Sequence, residues 1–373
     1  MDTLTHALSG ALVGRLFGQP AGRLSGVSAL PGGDSGRPTV AQAMVTGFFA
    51  AAFPDVDALL LLVGEIAYLE HHRGITHSLL LAPLWAVLLA QLSTLPFRSL
   101  RGRRGSWRRL YPVTFAAIII HIAGDLITQF GTMIFAPLSS ARFGLGTTFI
   151  IDLGLTGLIV AGLAASAFLP RSRLPAAVAL LAVIGWIGLG GWGRSEAITA
   201  GKRWAASDGI RALAIDAAPR PLSPFNWTVI VDDGAAFHVA HLNTRRREPL
   251  TASPDDDVLR RLRAPYRPPE SAQWQVRPRW TGSASQQAFA RTAWERPEFA
   301  FFRWFAMFPV HDASDERISL TLTERCAGFR DLRFEIPARE AVPFRYGLCQ
   351  RVGAPGWTVY APEGSGRRIV RGS

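Results

Sequence analysis

Histidine and aspartate recur in five short blocks of the first half of this 373-residue chain, each inside or at the edge of an apolar run. His6 lies in "LTHALSG", Asp55 and Asp57 in "FPDVDALL", His72 and His77 in "HHRGITHS", His121 and Asp125 in "IIIHIAGDLIT", and Asp152 in "FIIDLGL". An ionisable group at the centre of a membrane span costs roughly 2.5–3.5 kcal/mol on insertion scales, so it usually faces a protein interior and does a job there. The set is imidazoles and carboxylates without a lysine, and Arg73 is the one obvious cation nearby. Neutral imidazole nitrogen and carboxylate oxygen are ligands of divalent metals such as Zn²⁺. The charge of such an ion also offsets the cost of burying the carboxylates.

Spacing supports a shared centre. His121 and Asp125 are four residues apart and therefore neighbours on one helix face. Asp55 and Asp57 would diverge on a regular helix, but Pro54 disturbs the turn before them, so both can turn toward one point. Gly74 breaks the chain between His72 and His77, and Thr76 or Ser78 is placed to cap the helix that follows. The expected ligands are His6, Asp55, Asp57, His72, His77, His121 and Asp125, holding one or two divalent ions with zinc as the first candidate. Asp57 or Asp152 is placed to act as a general base, and the planar fork of Arg73 suits a phosphate. Plainer readings exist for single residues: His6 as a packed residue near a helix start, His71 as a solvated neighbour of His72, Asp152 as an N-cap at a water interface. His238, His241 and His311 are scattered in the second half and read as non-ligands.

The elements that must position these residues are membrane helices. The chain is 49% hydrophobic and 18% charged, with mean hydropathy +0.18. Residues 1–195 contain six apolar runs, near 2–17, 41–66, 78–96, 112–130, 147–169 and 174–193. A span needs roughly 20 apolar residues; the first run is short and the second is interrupted by Pro54, so either can be re-entrant. Residues 196–373 contain no such run and are rich in Arg, Asp, Pro and Trp. There "WTVIVDD", "AFHVAHLN", "RISLTLTER", "LRFEIPA" and "WTVYAP" alternate apolar with polar residues, as strands do. "FAFFRWFAMF" reads as a buried strand or a surface packed on the membrane domain. The expected fold is an α-helical polytopic membrane domain of about six helices over 1–195, followed by a β-rich soluble domain over 196–373.

The net charge is +12. Its densest basic run, "RSLRGRRGSWRRL", lies between two apolar runs, where cytoplasmic charge belongs, and this disfavours nucleic acid as a partner. Residues 98–109, residues 170–175 and the loop with Arg15, Arg23 and Arg37 are assigned to the cytoplasm. Alternation then puts the N-terminus, the His71–His77 block, the 131–147 connection and the C-terminal half outside, and gathers the His and Asp residues at one depth in the outer half of the membrane. "MDTLTHALSGALVGRLFG" carries an acid where a signal peptide has its basic region, and is not read as one. Cys326 and Cys349 are too few for a zinc knuckle; they form a disulfide if that half lies outside the cytoplasm, or remain two unpaired thiols.

The blocks "MDTLTHALSG", "FPDVDALL", "HRGITHS" and "HIAGDLIT" resemble, in order, the signature blocks of the YdjM family of bacterial inner-membrane proteins, usually described as predicted membrane-bound metal-dependent hydrolases. The resemblance covers residues 1 to about 155. More distantly, the order His, Asp, His, His-x-x-x-Asp is similar to zinc-dependent phospholipases C and fungal single-strand nucleases. That similarity implies phosphoester hydrolysis, with His6, Asp55, His77, His121 and Asp125 as the carried-over ligands. A second His-x-x-x-Asp block of those enzymes is missing here, which favours two metals over three. The expected function is a membrane-embedded metal-dependent hydrolase at the outer face of the inner membrane, with a membrane lipid or lipid-linked phosphoester as substrate. The alternatives are a transporter or metal/proton conduit, which needs polar groups continuing to the cytoplasmic side, and a non-catalytic envelope scaffold with a structural metal.

Overall fold

Side-chain caps mark the starts of the first two helices. Asp2 accepts the Thr5 amide at 3.0 Å and the Thr5 hydroxyl at 2.7 Å, and opens α1 (Thr3–Phe17). Thr39 and Gln42 form a reciprocal capping box that opens α2 (Val40–Ala52). The chain then tightens into a 3-10 stretch, Phe53–Leu62, where Pro54 contributes no amide to the α-helical ladder. Next come α3 (Glu65–His71), a 3-10 turn Ile75–His77, α4 (Ala82–Leu92), α5 (Tyr111–Leu126), α6 (Leu153–Phe168) and α7 (Leu174–Ser207). This computed structural model describes every residue except 20–36, 319–322, 338, 340–341, 352, 354–355, 365 and 373.

The first half is helical, but its spans are fewer by length than six. Among the described residues two helices are long and apolar enough to cross a membrane, Val40–Leu62 with 23 residues and Leu174–Ser207 with 34. Glu65–His77 and Ala82–Leu92 form a pair bent by 80°, a broken span or a re-entrant loop. Tyr111–Leu126 and Leu153–Phe168 have 16 residues each. At 1.5 Å per residue they reach about 24 Å, short of a hydrocarbon core of about 30 Å. The cap expected from Thr76 or Ser78 does not form: α4 starts at Ala82 with Leu81 as N-cap. The Ser78 hydroxyl instead donates to the Ala136 carbonyl at 2.5 Å.

Two compact units emerge. The first comprises Met1–Leu59, His71–Trp192 and Pro221–Pro224; the second comprises Leu60–Glu70, Gly193–Arg220 and Phe225–Ser373. In the first unit α1 and α2 touch backbone to backbone. A Cβ on Gly10 would stand 2.1 Å from the Gly47 carbonyl oxygen, and one on Gly14 would stand 2.3 Å from that of Ala43. Small residues one turn apart permit this approach, as in membrane helix pairs. Behind them Ala50, Ala51, Ala82, Ala86, Ala117, Ile118 and Ile122 make a core of small and branched side chains. Arg15, expected among the cytoplasmic loop charges, is buried in the last turn of α1. It donates to the Pro170 carbonyl at 2.6 Å and the Ser172 carbonyl at 3.0 Å, just past the end of α6, where a cation complements the helix dipole. Arg23 lies outside the described residues.

The second unit is β-rich. One antiparallel sheet runs in the order β1 (Ala214–Pro219), β2 (Asn226–Asp232), β3 (Ala236–Asn243), β4 (Gln275–Pro278). Its buried residues Trp227, Val229, Val231 and Leu242 pack with Ala197, Ala200 and Ala205 from the end of α7. A short helix, α8 (Val258–Arg263), lies between β3 and β4, and α9 (Ala284–Glu295) and α10 (Ala300–Phe305) follow β4. A five-stranded antiparallel meander closes the chain: β5 (Pro309–Ile318), β6 (Thr323–Asp331), β7 (Tyr346–Arg351), β8 (Trp357–Glu363) and β9 (Gly366–Gly372). Cys326 and Cys349 face each other across β6 and β7 and are joined by a disulfide.

Three strand expectations need correction. "FAFFRWFAMF" is a 3-10 turn, Pro297–Phe299, running into α10. Phe299, Phe302 and Phe305 are buried, and their spacing of three is helical rather than alternating. "LRFEIPA" begins as a 3-10 turn, Leu332–Phe334, whose cap Asp331 accepts the Arg333 amide at 3.0 Å. "RISLTLTER" is no single strand: it ends β5 and begins β6, with 319–322 outside the described residues.

Candidate metal centre

Four side chains from three segments converge. Ligand atoms of Asp55, His77, His121 and Asp125 all lie within 4.8 Å of one another. His77 Nε2 is 2.9 Å from His121 Nε2, 3.1 Å from Asp125 Oδ2 and 3.8 Å from Asp55 Oδ1. His121 Nε2 is 3.6 Å from both Asp55 Oδ1 and Asp125 Oδ2. The 3-10 stretch after α2 delivers Asp55, the turn before α4 delivers His77, and one face of α5 delivers His121 and Asp125.

Hydrogen bonds behind the four fix which atoms face inward. His121 Nδ1 is 2.6 Å from the Ala51 carbonyl. A carbonyl only accepts, so Nδ1 carries the proton and Nε2 carries a lone pair. His77 Nδ1 is 2.9 Å from the Thr76 hydroxyl, whose own proton goes to Asp57 Oδ2; the hydroxyl therefore accepts from Nδ1, with Asp57 Oδ2 3.3 Å away, and Nε2 is left a lone pair as well. Each carboxylate is pinned by one oxygen. Asp55 Oδ2 accepts the Thr3 hydroxyl at 2.6 Å. Asp125 Oδ1 is engaged by Arg73 at 3.0 Å, by His6 Nε2 at 3.0 Å and by the Met1 amino group. Asp125 Oδ2 is buried with no hydrogen-bond partner among the described residues.

The centre is therefore a ring of acceptors without a donor, and a cation satisfies all of it at once. Tetrahedral coordination with bonds of about 2.0–2.1 Å puts ligand atoms roughly 3.3 Å apart. The observed separations of 2.9–3.8 Å bracket that value, so the residues fit a divalent ion. The histidine side chains are 0% exposed and that of Asp125 is 1%, whereas Asp55 is 13% exposed, which makes Asp55 the side from which solvent approaches.

The remaining candidates take other places. Asp57 stands one layer out: its Oδ1 is 2.7 Å from His72 Nδ1, and its Oδ2 accepts the Arg73 amide and the Thr76 hydroxyl, both at 3.0 Å. It touches the centre through His77. His72 touches Asp57 and is not among the four. His6 bonds to Asp125 and stacks on His121, ring centroids 3.7 Å apart. Arg73 is buried, adopts φ +61°, and spends its guanidinium on Asp125 and the Thr128 hydroxyl. Asp152 caps α6 through the Leu155 amide at 2.9 Å and accepts from Trp186 Nε1 at 3.2 Å; it lies apart from the four.

Sequence reasoning overlooked the supporting layer. The Ala51 carbonyl, Thr3, Thr76 and Thr128 orient ligands or their partners, and backbone carbonyls leave no mark in a sequence. Gly124 did leave one, between His121 and Asp125: a Cβ there would sit 3.0 Å from His6 Cε1 and 2.9 Å from Met1 Cε. His238, His241 and His311 belong to the second unit and pair with Asp233, Thr228 and Ser314. Glu324, Cys326 and Cys349 also come close together, but both sulfurs are consumed by the disulfide.

Comparison with known proteins finds one relative and one family. The chain is 26% identical over 147 residues to the uncharacterized protein YfhP of Bacillus subtilis (strain 168), a stretch covering 39% of this chain and 40% of that protein. No solved structure matches. The family model described as YdjM inner membrane protein matches residues 1–197, which include every side chain of the metal centre. The chain belongs to the YdjM inner membrane protein family.

Proposed function

We propose that the protein is a membrane-embedded, metal-dependent hydrolase that cleaves a phosphoester of a lipid or lipid-linked substrate at the outer face of the bacterial inner membrane. The observation that carries this reading is the donor-free ring of Asp55, His77, His121 and Asp125, buried in the helical unit, where unpaired carboxylates are costly. Zinc suits a set of two imidazoles and two carboxylates. A divalent ion there supplies Lewis-acid polarisation of a phosphoryl oxygen and acidifies water.

The chain's own residues divide the remaining work. Arg73 and His6 hold Asp125 in place, and Asp57 holds His77 in the tautomer that presents Nε2. Asp55, the partly exposed member, borders the approach of substrate and water. Asp57 supports the base step through its hydrogen bond to His72, whose imidazole, 11% exposed, takes the proton while Asp57 stabilises the resulting charge.

The topology proposed with this function counts the shorter helices and the bent pair as membrane-embedded, giving about six segments, and places the second unit outside the cytoplasm. Support comes from the arginine-rich 98–109 loop and from the Cys326–Cys349 disulfide, a bond that persists in oxidising compartments. Purified protein in detergent, screened against phospholipids and a phosphodiester, tests the activity. Hydrolysis that disappears in His121→Ala and is restored by no added metal supports it; hydrolysis equal in wild type and variant refutes it.

A further inference from the structure

A cleft in the second unit concentrates positive charge. Arg261, Arg267, Arg277, Arg330 and Arg339 line a cavity of about 830 Å³, with Glu335 as the one carboxylate among the lining residues. Five guanidinium groups against one carboxylate repel one another; Arg277 donates to the neutral Gln275 Oε1 at 2.7 Å, but the pairing with the carboxylate is weak. Glu335 Oε1 stands 3.9 Å from Arg277 and 3.7 Å from Arg330, too far for a good hydrogen bond. Arg330 also pairs with Asp312 at 3.0 Å, but that carboxylate is shared with Arg345. The Nε atoms of Arg277 and Arg330 are buried without an acceptor among the described residues. Arg261 and Arg267 have no carboxylate partner among them.

The rest of the wall defines what else the ligand carries. Leu250, Pro265 and Ile336 give apolar surface beside the arginines. His241 lines the cleft with Nδ1 2.8 Å from the Thr228 hydroxyl. Burial, with Arg220 and Arg277 nearby, pushes its pKa down to about 3, so it adds hydrogen bonding and no charge at neutral pH. Guanidinium forks match phosphate oxygens two at a time, and a dianion with several free oxygens engages several forks together.

We propose that this arginine cleft is a second binding site, separate from the metal centre, for a phosphate-bearing ligand with an apolar portion, either a soluble phosphate compound or a lipid headgroup. It shares no residue with the metal centre and stands whether or not that centre is catalytic.

The test uses the full chain in nanodiscs of neutral phosphatidylcholine, titrated calorimetrically with inorganic pyrophosphate and, separately, with soluble dihexanoyl phosphatidylglycerol. The variants are Arg267→Gln, Arg277→Gln and, as a control outside the cleft, the exposed Arg211→Gln. Binding of either probe is expected to weaken by about tenfold or more in each cleft variant, the scale of one charge-assisted hydrogen bond, and to be unchanged in Arg211→Gln. Response to pyrophosphate identifies a soluble source; response to the lipid probe alone identifies a headgroup. Arg267 is not tied to Glu335 or Asp312, so its variant keeps the test meaningful if Arg277→Gln misfolds. Failure of the wild type to bind either probe, or equal weakening in Arg211→Gln, overturns the proposal.

Discussion

His77 and His121 point Nε2 at Nε2 across 2.9 Å, each with its other nitrogen committed to an acceptor. Two lone pairs so placed repel unless a proton or a cation sits with them. Carboxylate oxygens of Asp55 and Asp125 complete the surround, which gives the arrangement the electrostatics of a metal cradle.

Asp57 orients His77 and leaves the centre itself to others. Replacing such an outer partner lowers metal affinity about 10–100-fold while keeping the ligands. Asp57→Asn is therefore expected to weaken metal retention by that factor in a chelator competition, with the variant still folded and still able to load metal in excess. Affinity equal to wild type would remove Asp57 from this role.

The centre depends on how closely α1 approaches α2, because Thr3 and His6 ride on one and Asp55 follows the other. Gly10→Leu has no room against the Gly47 carbonyl; overpacking of this kind costs about 1–3 kcal/mol or more. The variant is expected to melt earlier and to lose bound metal. Gly157→Ala, with nothing within 4 Å of the added carbon, is expected to do neither, and its helix gains up to about 1 kcal/mol from the lost flexibility. Thermal melts with metal analysis on the same samples separate the two cases.

Stability of the second unit is expected to fall on mild acidification. The pKa of His241 lies near 3 in the folded chain against the ordinary 6.5. Below about pH 6.5 the unfolded chain takes up a proton that the folded chain refuses, so stability drops progressively from pH 6.5 toward 3. Denaturation followed by tryptophan fluorescence, repeated across that range, should show a shallower decline in His241→Asn. An unchanged slope would place the acid sensitivity elsewhere.

Much of the centre was legible before any coordinates. His121 and Asp125 obey helical spacing, and burial costs in an apolar run mark Asp55 and His77, together with His6, Asp57 and His72, which stand outside the four. The split between Asp55 and Asp57 was not legible, since residues two apart part company according to how the chain tightens after Pro54. Arg73 read as a free fork for phosphate, yet it is folded onto Asp125; sequence does not report which counter-ion a buried cation meets. Asp152 matched its plainer reading as a cap. In the second half, alternation found β2, β3 and β8, whereas the aromatic run before β5 hid helical spacing behind bulk hydrophobicity. The disulfide had an equal rival in two thiols until the β6–β7 register set the cysteines opposite each other.

Metal analysis of the intact protein, purified without chelator, tests the central claim most directly. The account predicts about one or two divalent ions per chain, as a His and Asp set of this kind holds, and near-complete loss in the His121→Ala, Asp125→Ala double variant. A metal-free wild type that takes up no zinc when offered it, or a double variant that keeps a stoichiometric ion, would contradict the account.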